Sequence, residues 1–301
     1  MKTVKFPQHR DEVALRAFAA ACEADFGDRL SRLVDRIAAD PRPIIALAGP
    51  SCAGKTTTAH RIIDRLREAG RRVQVVSLDD FYRPRDELIA ESAKSGGEID
   101  FDSPATLDWV TLETFLSDVQ SGRTAYLPRF DFETGICVER RPIHSDSYDC
   151  LLFEGIQAFY RQFLDLLPAG GYAAVFVTPE SGFEVDETHL IPTDIRLCRR
   201  MVRDRLFRAA SPEFTMRLWK SVTANEDRYI FPTAQMAHYR LDTFIGYELC
   251  LMRDLILDGM ATLPASARTP QMDHIEAVVR SIPSLPREVM PDDSMLREFL
   301  G

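Results

Sequence analysis

Eight residues, Gly49-Pro-Ser-Cys-Ala-Gly-Lys-Thr56, constrain the fold of this chain more than any others. They fit the pattern GxxxxGK followed by Ser or Thr. The apolar run Ile44 to Ala48 precedes them. A helical segment follows, with Ala59, Ile62, Ile63 and Leu66 on one face and Gly70 at its C-terminal stop. A strand, a glycine-containing turn and a helix in that order point consecutive backbone N–H groups into one concavity, with the positive end of the helix dipole behind it. That concavity suits a polyphosphate. Lys55 is placed to neutralise the β and γ phosphates, and the Thr56 hydroxyl to take one position around Mg²⁺. Gly49, Ser51, Cys52, Ala53, Gly54, Lys55, Thr56 and Thr57 are the candidate ATP-binding residues. Cys52 reads as a small, inert loop residue, because thiol reactivity needs a lowered pKa.

The remaining chain repeats the alternation of strand and helix. Val73 to Ser77 is a β-branched run that leads into Leu78-Asp79-Asp80-Phe81-Tyr82; Asp149 to Phe153 leads into Glu154-Gly155; Tyr172 to Thr178 is a further apolar run. Continuous apolar strands separated by helices indicate an α/β protein of the P-loop NTPase fold, its parallel sheet covered by helices on both faces. Residues 1–40 read as a helical N-terminal extension with Phe26, Leu30, Leu33, Val34 and Ile37 on one stripe, and 41–301 as the main domain with lid helices and a C-terminal tail. Trp109 to Val119, Glu213 to Asn225 and Met272 to Arg280 read as helices, and Leu127 to Phe132 as extended. Ala90 to Pro104 reads as a polar loop containing Gly96-Gly97, and Leu241 to Glu248 leans towards strand.

No apolar stretch approaches the roughly 18 residues that span a bilayer, and the first residues lack the apolar centre of a signal peptide, so a cytoplasmic location is expected. Six cysteines without CxxC spacing argue against a zinc site or a disulfide framework. A net charge of −9 disfavours nucleic acid as a partner, so an anionic ligand needs locally concentrated cations. These are concentrated between residues 194 and 208. Arg200, Arg203 and Arg208 are the candidates for the phosphates, whereas Arg196, Arg199 and Arg205 read as a solvated face paired with Asp194 and Asp204. Ile195, Cys198, Val202 and Leu206 form the buried stripe.

Carboxylates at strand ends decide the chemistry. Glu154 takes the place of a metal-holding acid, and Asp79 could accept a proton from a hydroxyl nucleophile, although spacing alone leaves Asp80 as a rival. No NKxD base-reading motif follows the loop, which disfavours a GTPase and leaves a small-molecule kinase.

In this order, the phosphate loop, Ser77-Leu-Asp-Asp-Phe-Tyr82, Ile99-Asp-Phe-Asp-Ser-Pro104, Leu152-Phe-Glu-Gly-Ile156 and Asp194 to Asp204 resemble the uridine kinase and phosphoribulokinase family. Leu218-Trp-Lys-Ser-Val222, Glu226 to Pro232 and Pro291 to Gly301 are similar to bacterial nucleoside kinases of the uridine kinase type. The resemblance implies transfer of the ATP γ-phosphate to a primary hydroxyl, the 5′-OH if the acceptor is a nucleoside. It implies Asp79 as general base, and Thr56, Asp79 and Glu154 around Mg²⁺. It also implies Asp102 on ribose hydroxyls, Tyr82 and Phe101 lining the acceptor site, Arg200 and Arg203 on the transferring phosphate, and Arg208 in a lid over ATP. Relatives of this type often self-associate. Two departures bear on the acceptor. The family's Tyr-Asp-Phe becomes Phe130-Asp-Phe132, with Gly135 near the place of a base-contacting histidine, and the lid's Arg-Gly pair becomes Arg208-Ala209-Ala210. His144 does not align with that histidine and reads as a loop residue. Alternatives are a kinase of another hydroxylated metabolite, such as a sugar phosphate or a pantothenate-like alcohol, or a module that senses ATP without transfer.

Overall fold

The computed structural model describes residues 2–95 and 100–301. The chain opens with β1 (Thr3–Lys5) and α1 (Glu12–Ala38), then β2 (Ile44–Ala48), α2 (Lys55–Glu68) and β3 (Val73–Ser77). It continues through α3 (Arg85–Ser95), α4 (Trp109–Gln120), the hairpin β4 (Ala125–Asp131) and β5 (Ile136–Ile143), β6 (Cys150–Glu154), α5 (Arg161–Leu166) and β7 (Tyr172–Thr178). The last third holds β8 (Gly182–Val185), β9 (Thr188–Leu190), α6 (Pro192–Phe207), α7 (Pro212–Asn225), α8 (Phe231–Ala234), β10 (Tyr239–Asp242), α9 (Glu248–Ala261), α10 (Pro270–Ser281) and α11 (Arg297–Leu300).

Five of these strands form a parallel sheet in the order β10-β7-β2-β6-β3. Their alternate side chains build two cores. Ile45, Leu47, Leu152, Val175 and Val177 join α1, α2, α6, α9 and α10 on one face; Ile44, Ala46, Val76, Phe153 and Phe176 join α4, α5 and the β4–β5 hairpin on the other. Both faces are apolar because both are covered, which is why these strands read as unbroken hydrophobic runs. Burying a side chain such as Phe153 contributes about 1.5–3 kcal/mol.

The register sets the site. Leu47 and Ser77 both pair with Glu154, so the ends of β2, β6 and β3 lie level, and the loop after β2, Glu154 and Asp79 leave the sheet from neighbouring strands. Ligands in such sheets bind beyond the carboxyl ends of the strands, near where strand order reverses.

The stripe read in residues 1–40 is buried. Phe26, Leu30, Leu33, Val34 and Ile37 are buried in the same core as α2, and β1 pairs in parallel with β8. Three expectations need correction. Residues 90–95 belong to α3, which begins after Pro84 and is supported by Arg83 bonding Glu87 and Glu91, while Gly96-Gly97 lies outside the described residues. The strand suggested over 241–248 stops at Asp242, whose carboxylate accepts from the Glu180 and Phe244 N–H groups and turns the chain. Leu206 is exposed rather than buried. No helix among the described residues is long and apolar enough to cross a membrane, and the six cysteines are free.

Candidate active site

The phosphate loop is shaped by backbone conformations that few residues tolerate. A Cβ on Gly49 would stand 1.9 Å from the Val177 carbonyl oxygen, so only glycine lets the loop lie against β7. Cys52 and Gly54 take left-handed φ values of 60° and 87°, which curls the chain into α2. Cys52 is buried.

A cleft of about 440 Å³ opens over this loop at the ends of the strands. Ser51, Cys52, Lys55, Thr56, Asp79, Tyr82, Asp102, Glu154, Arg200, Arg203 and Arg208, all singled out in the sequence, line it together. Gly49, Ala53 and Gly54 belong to the loop and Thr57 to the first turn of α2, and none of the four lines the cleft. Phe101 and Phe130 line a separate apolar pocket of about 250 Å³ instead. It adjoins the cleft through Tyr82 and Phe132.

The two rival aspartates point to different tasks. Asp79 faces the cleft, whereas Asp80 accepts the Phe130 N–H at 3.0 Å and anchors the hairpin. Burial, reinforced by Asp79, pushes the Asp80 carboxyl above its ordinary range. Asp102 is likewise pushed up, by burial first and Asp100 second. Its carbonyl accepts from the Tyr160 hydroxyl. The Lys55 ammonium donates to the Gly49 and Pro50 carbonyls at 3.0 Å each, and desolvation lowers its pKa.

Arg196 and Arg199 correct the solvated-face expectation. They are 2% and 0% exposed and form bidentate ion pairs with Glu226 and Glu248, respectively. Each also braces the loop from behind, Arg196 donating to the Ser51 carbonyl and Arg199 to the Cys52 carbonyl. Glu226 closes the arrangement by accepting the Ser51 N–H at 2.8 Å. Arg205 stays at the surface. The sequence reading missed Glu226, Glu248, Gln157 and Glu298, because their partners lie far away in the chain. Glu298, from the C-terminal tail, accepts from the Thr57 N–H and hydroxyl at 3.2 and 3.1 Å.

The residues present fit a nucleoside triphosphate and a divalent cation. The Nε atom of Arg203 is buried without a hydrogen-bond partner among the described residues, Arg200 pairs through Nε with Asp204 at 3.3 Å and donates to the Ser51 hydroxyl at 3.1 Å, and both side chains line the cleft. Guanidinium groups with spare donors beside a helix amino end suit phosphoryl oxygens. Among the described residues no group of three or more His, Cys, Asp or Glu forms a cage. The Thr56 hydroxyl, Asp79 and Glu154 line the cleft as oxygen donors, a set suited to an ion that takes its other ligands from phosphates and water.

Beside Arg85, which lines the Phe101 and Phe130 pocket, the space for a side chain at Gly135 is already filled. Arg85 Cβ lies 2.7 Å from where the Gly135 Cβ would stand, and the Arg85 N–H donates to the Gly135 carbonyl at 2.8 Å. Ala209, next to Arg208, takes a left-handed φ of 49°.

The chain is 32% identical over 199 residues to uridine-cytidine kinase B of Dictyostelium discoideum, covering 64% of this chain and 72% of that protein. It is 28% identical over 196 residues to uridine kinase of Ureaplasma urealyticum, covering 65% and 85%. A solved structure of a possible uridine kinase from Bacillus stearothermophilus covers 72% of this chain and all of its own, at 20% identity and a TM-score of 0.48. The model of the phosphoribulokinase / uridine kinase family matches residues 44–244, a span that runs from the first residue of β2 to just past β10, and the chain belongs to that family.

Proposed function

We propose that this chain uses ATP and Mg²⁺ to phosphorylate the 5′-hydroxyl of a nucleoside-like acceptor, with uridine and cytidine the first candidates. One observation carries the reading: Lys55 and Thr56 share a single cleft with Asp79, Glu154 and Asp102. The names of the relatives support the nucleoside as acceptor.

Asp79 takes the proton of the acceptor hydroxyl as its oxygen bonds to the γ-phosphorus and the bond to the β,γ-bridging oxygen breaks, releasing ADP. Lys55, Arg200 and Arg203 hold the phosphoryl oxygens in line and offset the charge that spreads over them. Asp102 orients the acceptor by accepting from neighbouring hydroxyls. Thr56, Asp79 and Glu154 would hold Mg²⁺, which would supply positive charge to offset that of the phosphates. Catalysis here is positioning and electrostatics.

The test is ATP consumption against a panel of nucleosides, sugar phosphates and pantothenate-like alcohols, with products identified by mass. A phosphorylated nucleoside supports the reading; transfer to none of them overturns it. Asp79→Asn should leave ATP binding intact and lower turnover by about 10² to 10⁴-fold, the span of a lost general base. Unchanged turnover removes Asp79 from that role.

A further inference from the structure

Gln157 sits just after Gly155 at the end of β6, and it is 1% exposed. Its Nε2 donates to Asp79 Oδ1 at 2.6 Å and to the Tyr82 hydroxyl at 3.3 Å. Tyr82 in turn donates to the Phe101 carbonyl at 2.9 Å. Both amide hydrogens are thereby committed. The amide oxygen is buried and has no hydrogen-bond partner among the described residues. It lies 2.4 Å from where a Cβ would stand on Gly155, whose φ is 140°, so the amide folds over that residue only because it is glycine.

Packing does not account for a glutamine here. A buried carbonyl without a donor lowers stability, and a leucine would fill a similar volume with no such group. What the amide does is hold Asp79 by one oxygen, Oδ1, which fixes the orientation of the carboxylate that would serve the acceptor hydroxyl and the cation. Through its second hydrogen it ties the carboxylate to Tyr82, so that the base and one wall of the acceptor space are held as a unit. We propose that Gln157 is a positioning residue that orients the Asp79 carboxylate for proton transfer, an inference that rests on the kinase reading above.

The test is a double-mutant cycle on the full chain, with kcat, the KM values for ATP and acceptor, and the melting temperature measured for each variant. Gln157→Leu should lower kcat about 10 to 10²-fold, the scale on which a misplaced catalytic group is felt. Both KM values and ATP affinity should stay close to those of the parent, and the melting temperature should be unchanged or higher. In the Asp79→Asn background the same substitution should cause no further loss, because the carboxylate it orients is gone. Parent kcat in Gln157→Leu, a loss confined to KM, or a loss that multiplies with that of Asp79→Asn would overturn the proposal. If Gln157→Leu fails to fold, Gln157→Met, unbranched and of similar length, replaces it in the cycle. Should Asp79→Asn itself turn over normally, the general-base reading fails; should Asp79→Asn be impaired while Gln157→Leu is not, only the role of Gln157 does.

Discussion

Replacing Glu248 by glutamine tests whether the ion pair behind the phosphate loop is charged. Glu248 and Arg199 are both 0% exposed and joined by bonds of 2.8 and 2.7 Å, and Glu248 also accepts the Ile245 N–H. Burial pushes the Glu248 carboxyl up, and Arg199 opposes that shift. Two short bonds to one guanidinium are the geometry of a carboxylate. Glu248→Gln keeps the shape but leaves a buried cation uncompensated, which costs about 3–5 kcal/mol. A chain of this size loses roughly 2 °C in melting temperature per kcal/mol, so a fall of about 6–10 °C is expected by thermal denaturation. The double variant Arg199→Met with Glu248→Leu should regain much of that, since it removes both charges, yet should bind ATP more weakly because the donor to the Cys52 carbonyl is gone. A cost below about 1 kcal/mol for Glu248→Gln would mean that the carboxyl is neutral in the native state, and the bracing argument would fall.

Three further outcomes are expected. Glu298→Gln removes an anion from the amino end of α2 that a phosphate must displace, so ATP should bind about 5 to 30-fold more tightly by calorimetry, equivalent to about 1–2 kcal/mol; equal affinity would show that the tail does not compete. The Arg42 guanidinium, helped by the Tyr239 hydroxyl, holds Asp40 well below the usual carboxylate range. The resulting stability is full above a pH of about 4 and is lost as pH falls, so Asp40→Asn should flatten the acid side of a melting temperature against pH plot, and an unchanged slope there would refute it. Ala209→Gly relieves a left-handed backbone and should raise stability by about 1 kcal/mol in urea titration, whereas a loss would show that this conformation carries little strain.

How far the sequence could be read depended on distance along the chain. The loop, its strand and α2 were legible because every signal for them falls within one continuous stretch, and the strand-end carboxylates because apolar runs mark where strands stop. Spacing could not choose between Asp79 and Asp80; the choice depends on which one meets β4. Arg196 and Arg199 read as solvated because arginine is seldom buried without a partner, and their partners come from the end of α7 and from α9. The first part of the 90–104 stretch read as a loop because α3 has little apolar patterning, and Arg83, just before the helix, supplies its ion pairs. The Asp79 contact of Gln157 spans 78 positions and leaves no local mark.

The bracing of the phosphate loop bears on how the protein is made. Ser51 relies on Glu226, 175 positions later, and Cys52 on Arg199, 147 positions later. A nascent chain leaving the ribosome therefore exposes its glycine-rich turn long before the side chains that hold it have been synthesised. Binding of a triphosphate by this loop is accordingly a late event of biogenesis, and retention on immobilised nucleotide would separate finished molecules from chains truncated before α6, which lack both Arg199 and Glu226.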